Sequence, residues 1–150
     1  MKTFNLLVLI AALLFCATAN AQTVPNKKLP APVKSSFASK FPSAINLKWE
    51  KERNGNYEAK FSMDRINRRA EFDKNGTWIE TERLINTSEV PKAVSDAVKK
   101  ANPSCKLNDA EEIQTADKGM LYEVGCKTGQ AKQEYRISPD GKVEAKTERK

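Results

Sequence analysis

Residues 49–82, WEKERNGNYEAKFSMDRINRRAEFDKNGTWIETE, decide the fold, because they alternate with period two and leave no room for a helix. Tyr57, Ala59, Phe61 and Met63 point one way, and Glu58, Lys60, Ser62 and Asp64 point the other. Asn54-Gly55 is a hairpin turn signal between Trp49 and Tyr57. A second turn is expected near residues 65–67, after which Ala70 and Phe72 form the apolar side of a third strand. Lys74-Asn75-Gly76 turns the chain again, and residues 77–83 make a fourth strand. Just upstream, Ile45, Leu47 and Trp49 alternate with Asn46, Lys48 and Glu50, so the strand containing Trp49 begins near Ile45.

Before these strands the period changes. Pro30 and Pro32 open a helical pattern with Val33, Phe37 and Phe41 at four-residue spacing, and Phe41-Pro42 closes it. Residues 22–29 are polar, punctuated by Pro25, and read as a flexible lead-in. After the strands the whole pattern restarts. Pro30, Val33, Phe37, Pro42 and Ser43 match Pro91, Val94, Val98, Pro103 and Ser104 at a constant offset of 61. The offset then becomes 65, so that Tyr57-Glu58-Ala59 matches Tyr122-Glu123-Val124 and Gly76 matches Gly141. Constant offsets of this kind are the signature of an internal repeat. The chain therefore reads as two helix-plus-four-strand units of about 60 residues each, a size at which a single core is marginal. One helix covers one face of an antiparallel sheet. The expected fold is α+β, with two tandem units side by side, helices on one side of a curved sheet and a polar face on the other. The expected boundaries are 1–21 for a targeting segment, 22–29 for the lead-in, 30–86 for the first repeat and 87–150 for the second.

The targeting segment carries Lys2, an apolar run from Leu6 to Ala17 and the small-x-small signal Ala19-Asn20-Ala21. Cleavage after Ala21 would leave Gln22 first. The run is shorter than the roughly 20 residues that span a bilayer, so no transmembrane segment is expected after cleavage, and the protein is expected in the periplasm or outside the cell. Lipidation at Cys16 is the weaker alternative, since Phe15 is a poor match for the small residue it requires. In an oxidising compartment Cys105 and Cys126, at the outer ends of two candidate strands joined around Asp117-Lys118-Gly119, either pair as a structural cross-link or remain two small buried apolar residues.

Chemistry is constrained by what is missing. The chain holds no histidine and no CxxC, so Ser-His and Cys-His nucleophiles and histidine-ligated metals are excluded. Glu80 and Glu82 share a strand face, and we read them as exposed decoration. Neither a catalytic constellation nor a metal or cofactor site is expected. The formal charge of +7 arises from 26 basic residues interspersed with 19 acidic ones, which reads as a solvated mixed-charge surface. The densest cationic group, Arg65, Arg68 and Arg69, suits either an acidic partner or an edge strand guarded by charge. Nucleic acid is not expected, because export and the commitment of the aromatics to the core argue against it.

The residues Pro30 with Phe37 and Phe41-Pro42, Trp49-Glu50, Asn56-Tyr57-Glu58-Ala59, Phe72-Asp73 with Gly76 and Trp78, and Leu84-Ile85 leading to Val90-Pro91 carry a resemblance. Both units resemble the PepSY-like repeats of exported Bacteroidetes proteins, grouped with the beta-lactamase inhibitor protein, over nearly the whole chain after the targeting segment. The resemblance implies a curved sheet whose concave face binds another protein. The second unit departs from the pattern at Ala110, Val143 and Ser138-Pro139. On this reading the protein is an exported, non-catalytic module, inhibitor-like in type, that binds an envelope or extracellular protein. The candidate contact residues on the polar face are Lys48, Glu50, Glu58, Lys60, Arg69, Glu71 and Trp78. The competing expectation is a carrier of a small ligand or glycan that uses a cleft between the repeats.

Overall fold

The computed structural model describes residues 22–149. The targeting segment, its cleavage after Ala21 and lipidation at Cys16 lie outside the described residues. The described chain is a nine-stranded antiparallel sheet with two helices, and every strand pairs with its sequence neighbours, in the order β1 to β9. β1 (Gln22–Thr23) precedes α1 (Ala31–Lys40), which is followed by β2 (Ile45–Lys51), β3 (Tyr57–Met63), β4 (Ile66–Phe72) and β5 (Trp78–Ile85). α2 (Lys92–Ala101) leads into β6 (Lys106–Thr115), β7 (Gly119–Thr128), β8 (Ala131–Ile137) and β9 (Val143–Arg149).

Each helix starts at a proline that is preset for the first turn, Pro30 or Pro91. Each stops where the next amide folds back, Phe41 N–H onto the Phe37 carbonyl at 2.9 Å and Asn102 N–H onto that of Val98 at 2.8 Å. Strand register shows that the two helices share a side. Ala59 faces Ala70, Ala70 faces Thr81, Thr81 faces Gln114, and through Ala110, Val124 and Tyr135 the same face continues to the end of the sheet. Beneath α1, Val33 and Phe37 close a core with Trp49, Tyr57, Phe61 and Phe72. Beneath α2, Val94 and Val98 close a second core with Val124, Cys126, Tyr135 and Ile137. A polar seam separates the two, where Arg83 donates through Nε and Nη2 to Glu112 at 2.9 and 2.8 Å.

Two glycines lock the helices to the sheet in the same way. A Cβ on Gly76 (φ +84°) would lie 2.6 Å from the Pro32 carbonyl oxygen, and one on Gly141 (φ +90°) would lie 2.8 Å from that of Ala93. Only glycine accepts both the left-handed backbone and the close approach. Cys105 and Cys126 are joined in a disulfide that ties the turn after α2 to β7, with their Cα atoms 5.4 Å apart.

Three expectations are corrected here. Residues 22–29 are not a loose lead-in: Gln22 and Thr23 pair with Lys51 and Glu50, residues 26–28 form a 3-10 turn, and Val24 packs on the first core. The strand carrying Arg68 and Arg69 is flanked by β3 and β5, so these arginines do not guard an edge. The turn before it falls on Asp64 and Arg65, both at positive φ, the geometry of a tight two-residue hairpin.

Candidate functional site

The face opposite the helices is a grid of charges set by register. One row across the strands reads Glu50, Glu58, Glu71, Glu80, and the next reads Lys48, Lys60, Arg69, Glu82. Like charges directly opposite one another are unfavourable. The grid offsets this by pairing along the strands and across the diagonals. Lys60 Nζ lies 2.7 Å from Glu50 and 3.3 Å from Glu58. Glu71 accepts from the Asn54 and Asn56 amides at 3.0 and 2.6 Å. Arg69 meets Glu82 and Glu111, each at 2.5 Å.

The second unit supplies the other clamp. Arg136 on β8 donates to Glu123 at 2.8 Å and reaches back to Glu80 at 2.9 Å and Glu82 at 3.7 Å, both on β5. The register places Leu121 and Ile113 on β7 and β6 between these partners, and both are buried. An arginine bridging three strands requires a rolled sheet, since strands lie about 4.8 Å apart. The same curvature closes a groove of about 620 Å³ that touches Glu58, Arg69, Glu82, Glu123, Glu134 and Arg136, with Ala145 and Thr147 of β9 on its far wall. Flat, β3 and β9 would stand about 29 Å apart. Beside it, the β2–β5 side of the face holds Lys48, Lys60 and Arg69 around a second hollow of about 540 Å³. On this hollow's rim Leu84 is 68% exposed.

Electrostatics follow from half-burial. Desolvation raises the carboxyls of Glu58, Glu80 and Glu111 above the ordinary carboxylate range, and the nearby cations only partly oppose it. Burial alone would lower the Arg69 and Arg136 guanidinium groups, but their bonds to the surrounding glutamates outweigh it and raise them. Glu50, Glu52 and Glu58 bring carboxylate oxygens close enough to hold a metal ion. Lys60 already supplies the cation to two of them.

Six of the seven residues singled out from the sequence, Lys48, Glu50, Glu58, Lys60, Arg69 and Glu71, share this face. Trp78 does not. A bulge opposite Glu71 and Phe72 shifts the alternation, so that Trp78 pairs with Phe72 on the helix side. There its Nε1 donates to Thr81 at 2.9 Å, and Lys40 Nζ sits 3.6 Å above the ring. Glu80 and Glu82 are also corrected: their side chains are 12% and 15% exposed and belong to the clamp. Glu111 reads from sequence, with Glu112, as exposed strand decoration, and Arg136 and Glu123 are not among the expected contact residues, because no local pattern links the middle of one repeat to the end of the next. The offset of 65 that pairs Glu58 with Glu123 was the available signal.

Comparison with known proteins agrees with this architecture. The sequence model of the PepSY-like family, described as beta-lactamase-inhibitor-like, matches twice, over residues 17–67 and 55–144. Among solved structures, a DUF2874 family protein of Bacteroides uniformis is 20% identical with a TM-score of 0.69, covering 79% of this chain and 88% of that one. A BLIP-like protein of Bacteroides fragilis is 20% identical with a TM-score of 0.69, covering 83% and 87%. A Bacteroides eggerthii protein, provisionally described as periplasmic, is 19% identical with a TM-score of 0.68, covering 80% and 88%. These likenesses are of fold. No curated protein matches, and among the described residues no helix is long and apolar enough to cross a membrane.

Proposed function

The chain belongs to the PepSY-like, beta-lactamase-inhibitor-like family, and on that premise we propose that it is a non-catalytic protein-binding module working through the polar sheet face. One observation carries the reading: a groove built jointly by both repeats lies on the face that neither helix covers. Each repeat is on this reading a helix followed by four strands, 30–86 and 87–150, and the repeats act together because Arg69 and Arg136 reach across the strands. The face is bipolar. Lys48, Lys60, Arg68 and Arg69 against Glu82 make the lining of the β2–β5 hollow cationic, whereas four glutamates to two arginines make the groove acidic. Such a surface selects a partner by charge complementarity and register. Residues 1–21 serve export on this reading, and the partner is an envelope or extracellular protein.

Absence of histidine removes the commonest general base, and the half-buried carboxylates of the groove are held by arginine, which leaves them serving as fixed charges. Action on a beta-lactamase is not inherited with the fold. The carrier alternative needs an aromatic-lined cleft between the repeats, and the charged lining of the groove counts against it. The test is capture from envelope extract with the chain and with a variant carrying Lys48→Glu, Lys60→Glu and Arg136→Glu. Loss of a partner in the variant supports the reading; unchanged recovery overturns it.

A further inference from the structure

A different surface, on the helix side at the N-terminal edge of the sheet, is built to receive another chain. β1 covers only part of β2: Gln22 and Thr23 pair with Lys51 and Glu50, the Val24 amide donates to the Trp49 carbonyl at 2.9 Å, and Pro25 turns the chain away. Among the described residues no strand pairs with the outer edge of residues 45–48. That stretch is bulged between Ile45 and Lys48, with Asn46 at φ +58°, so it offers no regular ladder, and the receiving surface is the groove beside it. This edge also exposes Ile45 at 61% and Leu47 at 39%. Leu47 forms one wall of a groove of about 340 Å³ between β2 and α1, whose floor is Phe37, Phe41, Ala44 and Trp49. The charged residue of the lining is Lys34.

Trp49 lines the groove and differs in its hydrogen bonding from the protein's other tryptophan. Trp49 is 4% exposed, and its indole Nε1–H is buried without an acceptor. A buried donor left without a partner is costly. The other tryptophan, Trp78, has its acceptor in Thr81.

We propose that the groove between β2 and α1, walled by Leu47, binds an extended segment of a partner protein. The segment places an apolar side chain against Phe41, Leu47 and Trp49 and sets a carboxylate beside Lys34. Charge complementarity selects the acid, because the lining offers a cation and no anion. This groove shares no lining residue with the two hollows of the polar face.

The test pans a displayed library of random segments of about ten residues, enough to span a strand, on the whole chain. The selected segments are then synthesised and titrated into isotope-labelled protein. Expected are segments that alternate apolar residues with an acidic one, that move the Trp49 indole resonance and leave that of Trp78 in place. Binding should weaken at least about tenfold in Leu47→Asp and about fivefold in Lys34→Glu. Leu47 is partly exposed, so the folded state of its variant is verified by an unchanged Trp78 resonance. Several results would overturn the proposal. They are no enrichment over bare support, equal binding to Leu47→Asp, an unmoved Trp49 indole, or concentration-dependent self-association by sedimentation that Leu47→Asp abolishes, which would make a second copy the occupant.

Discussion

The two cores sit under equivalent helices at equivalent register and are filled differently. Beneath α1 the packing is aromatic: the Phe37 ring lies 5.1 Å from that of Phe61, and Phe41 lies 4.7 Å from Phe61. Beneath α2 the positions matching Phe37, Phe41 and Phe61 are Val98, Asn102 and Cys126. The position matching Ala44, which packs beside the first core, is Cys105. Where Ala44 only packs against the cluster that holds Phe61, the matching pair in the other unit is joined covalently. Volume has also moved along a row. Trp49, Ala59 and Ala70 stand side by side in the first unit, and Ala110, Val124 and Tyr135 stand in the matching places of the second. The large side chain has passed from the first strand of the row to the third. Cores tolerate such exchanges when total volume and pattern are kept. The fold therefore depends on the filled row, and the identity of the residue filling it is negotiable.

The contrast can be broken in four ways, the largest first. Phe37→Ala should cost about 4 kcal/mol of stability, whereas Val98→Ala, losing two methyl groups, should cost about 2. Urea unfolding of each variant measures both, and equal losses would mean that the aromatic cluster is no stiffer than its aliphatic counterpart. Replacing both Cys105 and Cys126 by alanine opens a loop of sequence separation 21 and should cost about 3 kcal/mol by chain entropy. Reducing agent should then have no further effect on the variant's unfolding midpoint.

Row exchange is subtler. Trp49→Ala and Ala70→Tyr together turn the first row toward the second, and the double variant should be about 1–2 kcal/mol more stable than the sum of the single changes. Additive losses would show that the rows are not interchangeable. Smallest is a pH effect on the shared polar face. Glu58, Glu80 and Glu111 have carboxyls raised above the unfolded value of 4.5. The folded chain therefore holds these protons more tightly, and stability falls as pH rises from 4.5 through the folded values. Glu80→Gln, which mimics the protonated form, should flatten that slope between pH 4.5 and neutrality without lowering stability at pH 7. A steeper slope would contradict the sign.

Much of this was legible from spacing alone. Period-two alternation placed Lys48, Glu50, Glu58, Lys60, Arg69 and Glu71 on one face, because side chains in a strand cannot do otherwise without a bulge. Trp78 escaped for that reason: the bulge opposite Phe72 reverses parity, and bulges leave little trace in a single sequence. Burial of Glu80 and Glu82 was hidden differently. It depends on Arg136, 56 residues beyond Glu80, reaching over a curvature that only the assembled sheet possesses. The β1 strand was missed because two residues carry no periodicity.

Strictly sequential strand order has a consequence for how such a chain emerges from the ribosome. The first core is complete with residues up to Trp78, so it can close before β6 exists. β5 then waits with an open outer edge. Along it Glu80, Glu82 and Arg83 place three charges among Thr81, Leu84 and Ile85, which makes that waiting edge a poorer template for a neighbouring nascent chain. The same glutamates that later hold the two repeats together therefore act first as gatekeepers.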